Sequence, residues 1–207
     1  MNYDEIKDLA ISYSDRSDAE VTDRIDNFIK LSEVRMNRKL MTMDMTTRAF
    51  VLGVSDQRYY TLPSDFNGLR DIEVKATVNN IDVLTYSYCN PEQMNDAPNA
   101  NGFDGAYYSL IANQIMIYPT IADDMILEIV YYQKVPNLNA VDTENWMSLD
   151  CPDAYVFAIL VEISSFTKDY EAVKLWIERF NESMKDIENR DQINRWSGTP
   201  MQIRYEE

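Results

Sequence analysis

The residues that could carry chemistry in this sequence are carboxylates, tyrosines, lysines and two cysteines, because the chain of 207 residues contains no histidine. Histidine is the commonest general base at neutral pH and the commonest zinc ligand. In the stretch RYYTLPSDFNGL, residues 58–69, Ser64 lies beside Asp65. A serine nucleophile needs an adjacent base, and this stretch is not the Gly-x-Ser-x-Gly turn that exposes such a serine. Its residue types favour a strand that ends at Pro63 and passes into a turn.

Two groups of acidic residues could hold a metal ion, since carboxylates are the ligands of calcium and magnesium. They are the pair Asp123 and Asp124, and the set Asp71, Glu73 and Asp82. Neither group shows the twelve-residue spacing of a calcium loop. These acidic groups make a carboxylate-metal hydrolase the alternative from a different class of function, although their spacing does not support it. The five glycines are scattered and form no phosphate-binding loop, so no cofactor is expected.

Charge and cysteine usage limit the possible partners and compartments. The chain has 35 acidic against 19 basic residues, a net charge of −16. Such acidity repels phosphate and disfavours nucleic-acid binding through a basic face. Cys89 and Cys151 form neither a metal motif nor a disulfide framework, which favours a reduced, intracellular setting. The opening residues lack an apolar signal segment, and the apolar run 154–161 is too short to span a bilayer.

Helical periodicity occurs at both ends of the chain. Asn2 and Glu5 have the spacing of a capping box, and Ser17 with Glu20 predicts the start of a second helix that runs to about Met41. A third helix is expected from Cys151, with Pro152 in its first turn. Its residues 154–163 are apolar on nearly all sides, which predicts a central, covered helix. A fourth helix carries one apolar stripe, formed by Val173, Trp176, Ile177, Phe180, Met184 and Ile187.

The middle of the chain has the alternation and the Ile, Val and Tyr content of strands. We expect strands at 59–62, 71–76, 81–86, 107–111, 114–118 and 125–132. Tight hairpins are expected at Asn79–Asn80 and Ala112–Asn113, which gives an antiparallel meander. Residues 89–105 are rich in Asn, Pro and Gly, so we interpret them as a long exposed loop.

These patterns predict an α+β fold: an α-helical bundle of about four helices, with an inserted antiparallel β subdomain and an extended C-terminal tail. The expected boundaries are residues 1–57 and 149–190 for the bundle, 58–148 for the β subdomain and 191–207 for the tail. Large apolar groups on a flexible end usually bind a partner, which makes the tail a candidate interaction segment. Elsewhere the candidate contacts with other protein subunits are Trp176, Phe180, Asn95, Asn99 and Phe103.

Several stretches together resemble a known family. In order they are RMNRKLM, YYTLPSDFNGLRDI, YYSLIANQIMIYPT, LEIVYYQKVPNL, NWMSLDCPDAYVFAILVEISSF and DYEAVKLWIERF. Their order and spacing over roughly residues 15–190 resemble the head-to-tail adaptor, or connector, family of short-tailed bacteriophages. The resemblance lies in many weak motifs and not in one diagnostic signature.

The resemblance implies a non-enzymatic virion protein of the neck, assembled in the host cytoplasm. Members form a dodecameric ring beneath the portal, extend the DNA ejection channel and offer a platform for the next tail ring. DNA would pass through the channel without specific binding. The family's C-terminal tail reaches the portal, and the matching segment here is 191–207, with the candidate residues Ile193, Trp196, Pro200, Ile203, Arg204 and Tyr205. Another neck or tail completion protein, or a nozzle-proximal ring protein, is the nearer alternative.

Overall fold

A computed structural model describes residues 1–76, 82–96 and 105–196, and the side chains of all of these except residues 82, 83, 95, 96 and 196. The chain divides into two compact units. The helical unit comprises Met1–Asp44 and Val135–Glu207, and the β unit comprises Met45–Lys134. The fold is α+β, as predicted, with the sheets inserted in sequence between helices.

The helices are α1 (Tyr3–Ser14), α2 (Ala19–Thr22), α3 (Ile25–Asn37), α4 (Pro91–Asp96), α5 (Trp146–Asp150), α6 (Pro152–Phe166) and α7 (Tyr170–Trp196). The predicted capping box of α1 is confirmed. The Asn2 side chain accepts from the Glu5 N–H at 2.9 Å, and the Glu5 carboxylate accepts from the Asn2 N–H at 3.0 Å. Two of the amide groups that a helix start leaves unpaired are thereby satisfied.

The single helix predicted over residues 17–41 is wrong, because the chain leaves helical geometry at Arg24 (φ −111°, ψ 5°) and forms α2 and α3 separately. The cap of α2 is Asp18 and not Ser17. In this turn the Thr22 hydroxyl donates to the Asp18 carbonyl at 3.3 Å, the kind of local bond that competes with a continuous helix. Periodicity alone missed the break because Val21 and Ile25 are both buried.

Helix α6 is the centre of the helical unit, as its sequence predicts, and it packs against α1, α3 and α7. Nine of its residues are buried, and Pro152 occupies the first turn, where a missing N–H costs no helical bond. Arg35 of α3 donates to Glu162 of α6, with Nε and Oε1 3.0 Å apart. The predicted break after α6 is confirmed, since Lys168 has a left-handed backbone (φ 61°).

The prediction that the extended tail begins at residue 191 is wrong for residues 191–196, because α7 continues to Trp196. No glycine or proline occurs in α7, and Gly198 comes only after its last residue. The Arg195 guanidinium pairs with the Asp191 carboxylate, four residues earlier, at 2.7 Å, a spacing that supports helix. This last turn has no apolar stripe, which is why its sequence looks aperiodic. Residues 197–207 lie outside the described part of the chain.

Within the described residues, the β unit contains two four-stranded sheets. The strands are β1 (Thr46–Leu52), β2 (Tyr59–Thr61), β3 (Phe66–Ala76), β4 (Asp82–Thr85), β5 (Ser87–Tyr88), β6 (Tyr107–Ile111), β7 (Gln114–Tyr118) and β8 (Met125–Gln133). The first sheet has the order β1-β8-β3-β4, and the second has the order β2-β7-β6-β5. A core between them is formed by the alternate side chains of the central strands, including Ile72, Val74, Ile115, Ile117, Leu127 and Ile129.

The six predicted strands are present, and Ala112 has the left-handed backbone (φ 53°) expected for the turn between β6 and β7. The Asn79–Asn80 turn lies outside the described residues. The prediction of one simple antiparallel meander is wrong, because the strands form two sheets in which β2 pairs with β7 and β3 pairs with β8. The short pair β5–β6 is also parallel. Strand β1 was missed by the sequence analysis, which assigned residues 1–57 to the bundle. Its exposed face carries the apolar residues Phe50 and Leu52, so no alternation of polar and apolar residues was visible.

The interpretation of residues 89–105 as one long exposed loop is wrong for its first part. Helix α4 forms within it, and Met94 has no exposed surface because it packs with Cys89 and Met116. One apolar residue in a polar segment is enough to hold a short helix against a sheet. Residues 97–104 lie outside the described part of the chain.

Candidate functional site

The Ser64–Asp65 corner is a structural joint between β2 and β3. The Tyr131 hydroxyl donates to the Asp65 carboxylate at 3.0 Å, and the Lys134 N–H donates to the Asp65 carbonyl at 2.7 Å. The rings of Phe66 and Tyr131 stack with centroids 5.7 Å apart. Burial, followed by the Asp65 hydrogen bond and charge, raises the pKa of Tyr131 to about 12. Asp65 thus holds β8 to the corner, as the interpretation of this stretch as a turn predicts.

The acidic residues that were candidates for metal binding have local backbone and ion-pair partners. Asp123 accepts from the Ser55 N–H at 2.7 Å, and Asp71 accepts from the Ile72 N–H at 2.8 Å. Glu73 pairs with Lys75 at 3.6 Å, and the side chain of Asp82 lies outside the described ones. Within the described residues, no three acidic or cysteine side chains converge in a way that could hold a metal ion.

The two thiols lie in different environments. Cys89 is buried in the β unit, and Cys151 is half-buried at the junction of α5 and α6. Burial, together with the nearby negative charge of Asp153, raises the pKa of the Cys151 thiol. A raised pKa lowers the thiolate fraction at neutral pH, and the thiolate is the nucleophilic form.

A buried polar network in the helical unit was not predicted from the sequence. Glu33 on α3 is buried, and its Oε1 accepts from the Leu138 N–H at 2.6 Å and from the Tyr155 hydroxyl at 2.8 Å. Asn145 donates to the Tyr155 hydroxyl at 3.1 Å and caps α5. Burial is the largest influence on Glu33 and raises its pKa, although the Leu138 and Tyr155 hydrogen bonds oppose it. The network fixes the segment that returns from the sheets to α6.

A second buried carboxylate lies in the β unit and was also missed. Glu128 of β8 is 1% exposed, and it pairs with Lys75 of β3 and with Arg48 of β1, the latter at 3.3 Å. A buried charge needs such partners, because removal from water is costly. The sequence signal was present: Glu128 interrupts the apolar strand MILEIVYY.

The start of the predicted tail is held to the body by a polar cluster. Asp191 accepts from the Met43 N–H at 2.6 Å, and Arg195 donates to the Met41 carbonyl at 3.0 Å. Beside these bonds lies an open cavity of about 460 Å³, lined by Lys39, Met41, Thr42, Glu188, Asp191, Gln192 and Arg195. The last turns of α7 are therefore anchored to the segment that precedes β1.

The candidate portal-binding residues can be placed only in part. Ile193 is on α7 with 68% of its surface exposed, so its side chain is available to a partner. Trp196 is the last residue of α7, and its side chain lies outside the described ones. Residues 200, 203, 204 and 205 also lie outside the described part of the chain.

The other candidate contacts differ in accessibility. Trp176 is half-buried, with its ring stacked between those of Tyr13 and Phe157 at centroid distances of 6.3 and 5.8 Å. Phe180 is 1% exposed and lies beneath the Lys39 ammonium, so it is a core residue and not a surface that a partner could reach. The stripe on α7 points Phe180 into its own unit. Asn95 is in α4, but its side chain is not among the described ones, and residues 99 and 103 lie outside them altogether.

A comparison with models of protein families matches residues 1–204 to the family described as SU10 adaptor protein. The chain belongs to the SU10 adaptor protein family. The match covers nearly the whole chain and agrees with the resemblance to phage head-to-tail adaptors. A comparison with curated proteins finds no match.

Family membership indicates a phage adaptor protein that contributes to tail assembly as part of the virion neck. An adaptor of this kind joins the portal to tail components. Among the helices of the described residues, none combines the length and the apolar character that crossing a membrane requires.

Proposed function

We propose that the chain is a non-enzymatic neck protein that forms a ring under the portal, extends the DNA channel and carries the attachment platform for the next tail ring. The observation that carries this proposal is the family match over residues 1–204. The ring has twelve subunits in the family that the sequence resembles, and we propose the same number here.

The acidic balance of the chain supports a channel that DNA crosses without being held. A net charge of −16 repels phosphate groups, and a protein that binds DNA non-specifically needs several lysines or arginines against the backbone. We therefore expect no measurable binding of double-stranded DNA at physiological salt. A filter-binding titration with a DNA fragment tests this expectation.

The segment that we propose for portal docking is 191–207, and the contacts of Asp191 and Arg195 decide where the chain should be truncated to test it. A chain that ends at Arg190 would also lose Asp191 and Arg195, which anchor Met43 and Met41 to α7. A chain that ends at Trp196 keeps this anchor and removes only residues 197–207. Any loss of docking in that shorter chain then reports on the tail and not on the helical unit.

The experiment compares the full chain, the chain that ends at Trp196, and the full chain with Ile193→Asp. Val141→Asp is the matched control, because Val141 is the most exposed large apolar residue among the described ones and lies in a loop about fifty residues before the tail. We expect the truncated chain to lose portal binding in electron microscopy of the mixture, and Ile193→Asp to weaken it. Equal docking of the truncated and full chains would contradict the role of the tail.

A further inference from the structure

Among the described strands, β1 is the outer strand at one end of the first sheet. It pairs with β8 on one side, and no strand within the described ranges pairs with its other side. The Gly53 N–H donates to the Met125 carbonyl, so odd-numbered residues of β1 direct their backbone groups toward β8. The backbone groups of Arg48, Phe50 and Leu52 therefore point outward. An open edge of this kind is a template for another strand.

The open edge lacks the features that usually protect a sheet edge from pairing. Edge strands are commonly short, or carry proline or several charges. β1 has seven residues, no proline and one charged residue, Arg48, which already pairs with Glu128. Phe50 and Leu52 are 62% and 67% exposed. Pairing with another strand would cover both side chains and satisfy the outward backbone groups together.

The opposite edge of the same sheet is β4, and the direction of β4 allows it to pair with β1 of a second copy. β1 is antiparallel to β8, β8 to β3, and β3 to β4. β4 is therefore antiparallel to β1, so a second copy placed beside the first in the same orientation brings its β1 against β4 as an antiparallel pair. A ring requires such a contact between two different surfaces of each subunit.

Charge also favours this arrangement over pairing of β1 with itself. The β1 edge presents Arg48, whose side chain is 65% exposed. β3, which lies next to β4, carries the exposed Asp71, whereas its Glu73 already pairs with Lys75. A second copy in the same orientation would bring Arg48 of one edge toward Asp71, beside the other edge. Opposite charges on facing surfaces fix the orientation of partners.

We propose that the first sheet continues from one copy of the chain to the next, with the outward edge of β1 pairing with β4 of a second copy. The inference rests on the proposed ring for its head-to-tail geometry, and it names the contact that joins neighbouring subunits. The pairing also drives self-association of the purified chain at millimolar concentration.

Phe50→Pro tests the proposal, because the Phe50 N–H points away from β8 and proline at that position removes no hydrogen bond of the ladder. Phe50→Lys is a second variant that keeps the N–H and adds a charge. Val141→Lys, in a loop of the helical unit, is the control. Sedimentation should show concentration-dependent association for the wild-type chain and the control, and monomers for both Phe50 variants with unchanged circular dichroism. A monomeric wild-type chain at millimolar concentration would overturn the proposal.

Cysteine cross-linking identifies the partner strand. Arg48, Phe50 and Leu52 lie on the same face of the sheet as Thr85 by register, and the two edges of one chain are about 14 Å apart, at about 4.8 Å per strand. A disulfide cannot span that distance within one chain. In a Cys151→Ser background, Thr85→Cys combined with cysteine at one of the three β1 positions should give a ladder of covalent oligomers on oxidation. Dimers from the β1 cysteine alone would show β1–β1 pairing and overturn the proposal.

Portal docking is measured separately, so that the two proposals fail in different ways. If the Phe50→Pro chain forms the same ring on the portal as the wild-type chain, the edge pairing is wrong and the adaptor role stands. If the wild-type chain pairs through β1 and β4 but does not bind a portal, the edge pairing stands and the docking role is wrong.

Discussion

Substitutions of Glu33 test whether the buried polar network in the helical unit stabilises the fold through its hydrogen bonds. Glu33→Ala removes the acceptor of the Leu138 N–H and the Tyr155 hydroxyl, both in buried surroundings. Each buried donor left without a partner costs about 1–3 kcal/mol, so the expected loss in the free energy of unfolding for the two donors is about 2–6 kcal/mol. Glu33→Gln keeps an acceptor oxygen and removes the charge, and we expect a loss of less than about 1.5 kcal/mol.

The assay is urea unfolding followed by tryptophan fluorescence. The three tryptophans, Trp146, Trp176 and Trp196, all belong to the helical unit, so their emission reports on the unit that contains Glu33. A cycle with Tyr155→Phe isolates the Glu33–Tyr155 hydrogen bond, because Phe removes only the hydroxyl. The coupling free energy should be about 1–3 kcal/mol for a bond to a charged acceptor.

The pH dependence gives an independent check. Burial raises the pKa of Glu33 above its ordinary value of 4.5, so the folded chain holds this proton more tightly than the unfolded chain. The stabilising contribution is fully present below pH 4.5 and is lost as the pH rises through the folded-state pKa. The free energy of unfolding of the wild-type chain, relative to Glu33→Gln, should therefore fall as the pH rises above 4.5. Equal effects of the Ala and Gln variants, or a pH-independent difference, would refute the reasoning.

Three further predictions concern the corner, α4 and the tail anchor. Asp65→Ala and Tyr131→Phe should each cost about 0.5–1.5 kcal/mol, and the double variant no more than either alone, measured by thermal unfolding; additive losses would show that the bond is not shared. Met94→Ala should cost about 2–5 kcal/mol and speed hydrogen exchange in residues 91–96, whereas Glu92→Ala, on the exposed side, should change neither. Asp191→Ala should lower the unfolding free energy of the helical unit by about 1–3 kcal/mol and speed exchange of the Met43 amide, and an unchanged Met43 exchange rate would contradict the anchor.

Features formed by residues close in the sequence could be predicted, whereas a break within an apolar stripe could not. The capping box at Asn2 and Glu5 was predictable because its bonds join residues three apart. The hairpin at Ala112 was predictable for the same reason, since its strands are joined by two residues. The break between α2 and α3 was not, because both helices bury residues on one stripe and the apolar periodicity continues across Arg24.

For the candidate functional residues, the sequence again indicated some properties and missed others. The sequence indicated the adaptor family, the acidic character and the tail as a docking segment, although the docking role stays a prediction. It did not separate Phe180, a core residue, from Trp176, which keeps exposed surface, because both lie on one stripe. It also missed β1, whose exposed face is as apolar as a buried one.

By itself the sequence determined the α+β class, six of the eight strands in the described residues, the central helix α6 and the family, because these depend on local propensity, periodicity and the order of motifs. Only the tertiary structure decided which buried acids find partners, which strand lies at a sheet edge, and where α7 ends. Glu33 meets Tyr155 across 122 residues, and β1 meets β8 across about 80. Contacts at such separations depend on how the whole chain packs, and no short window of residues contains them.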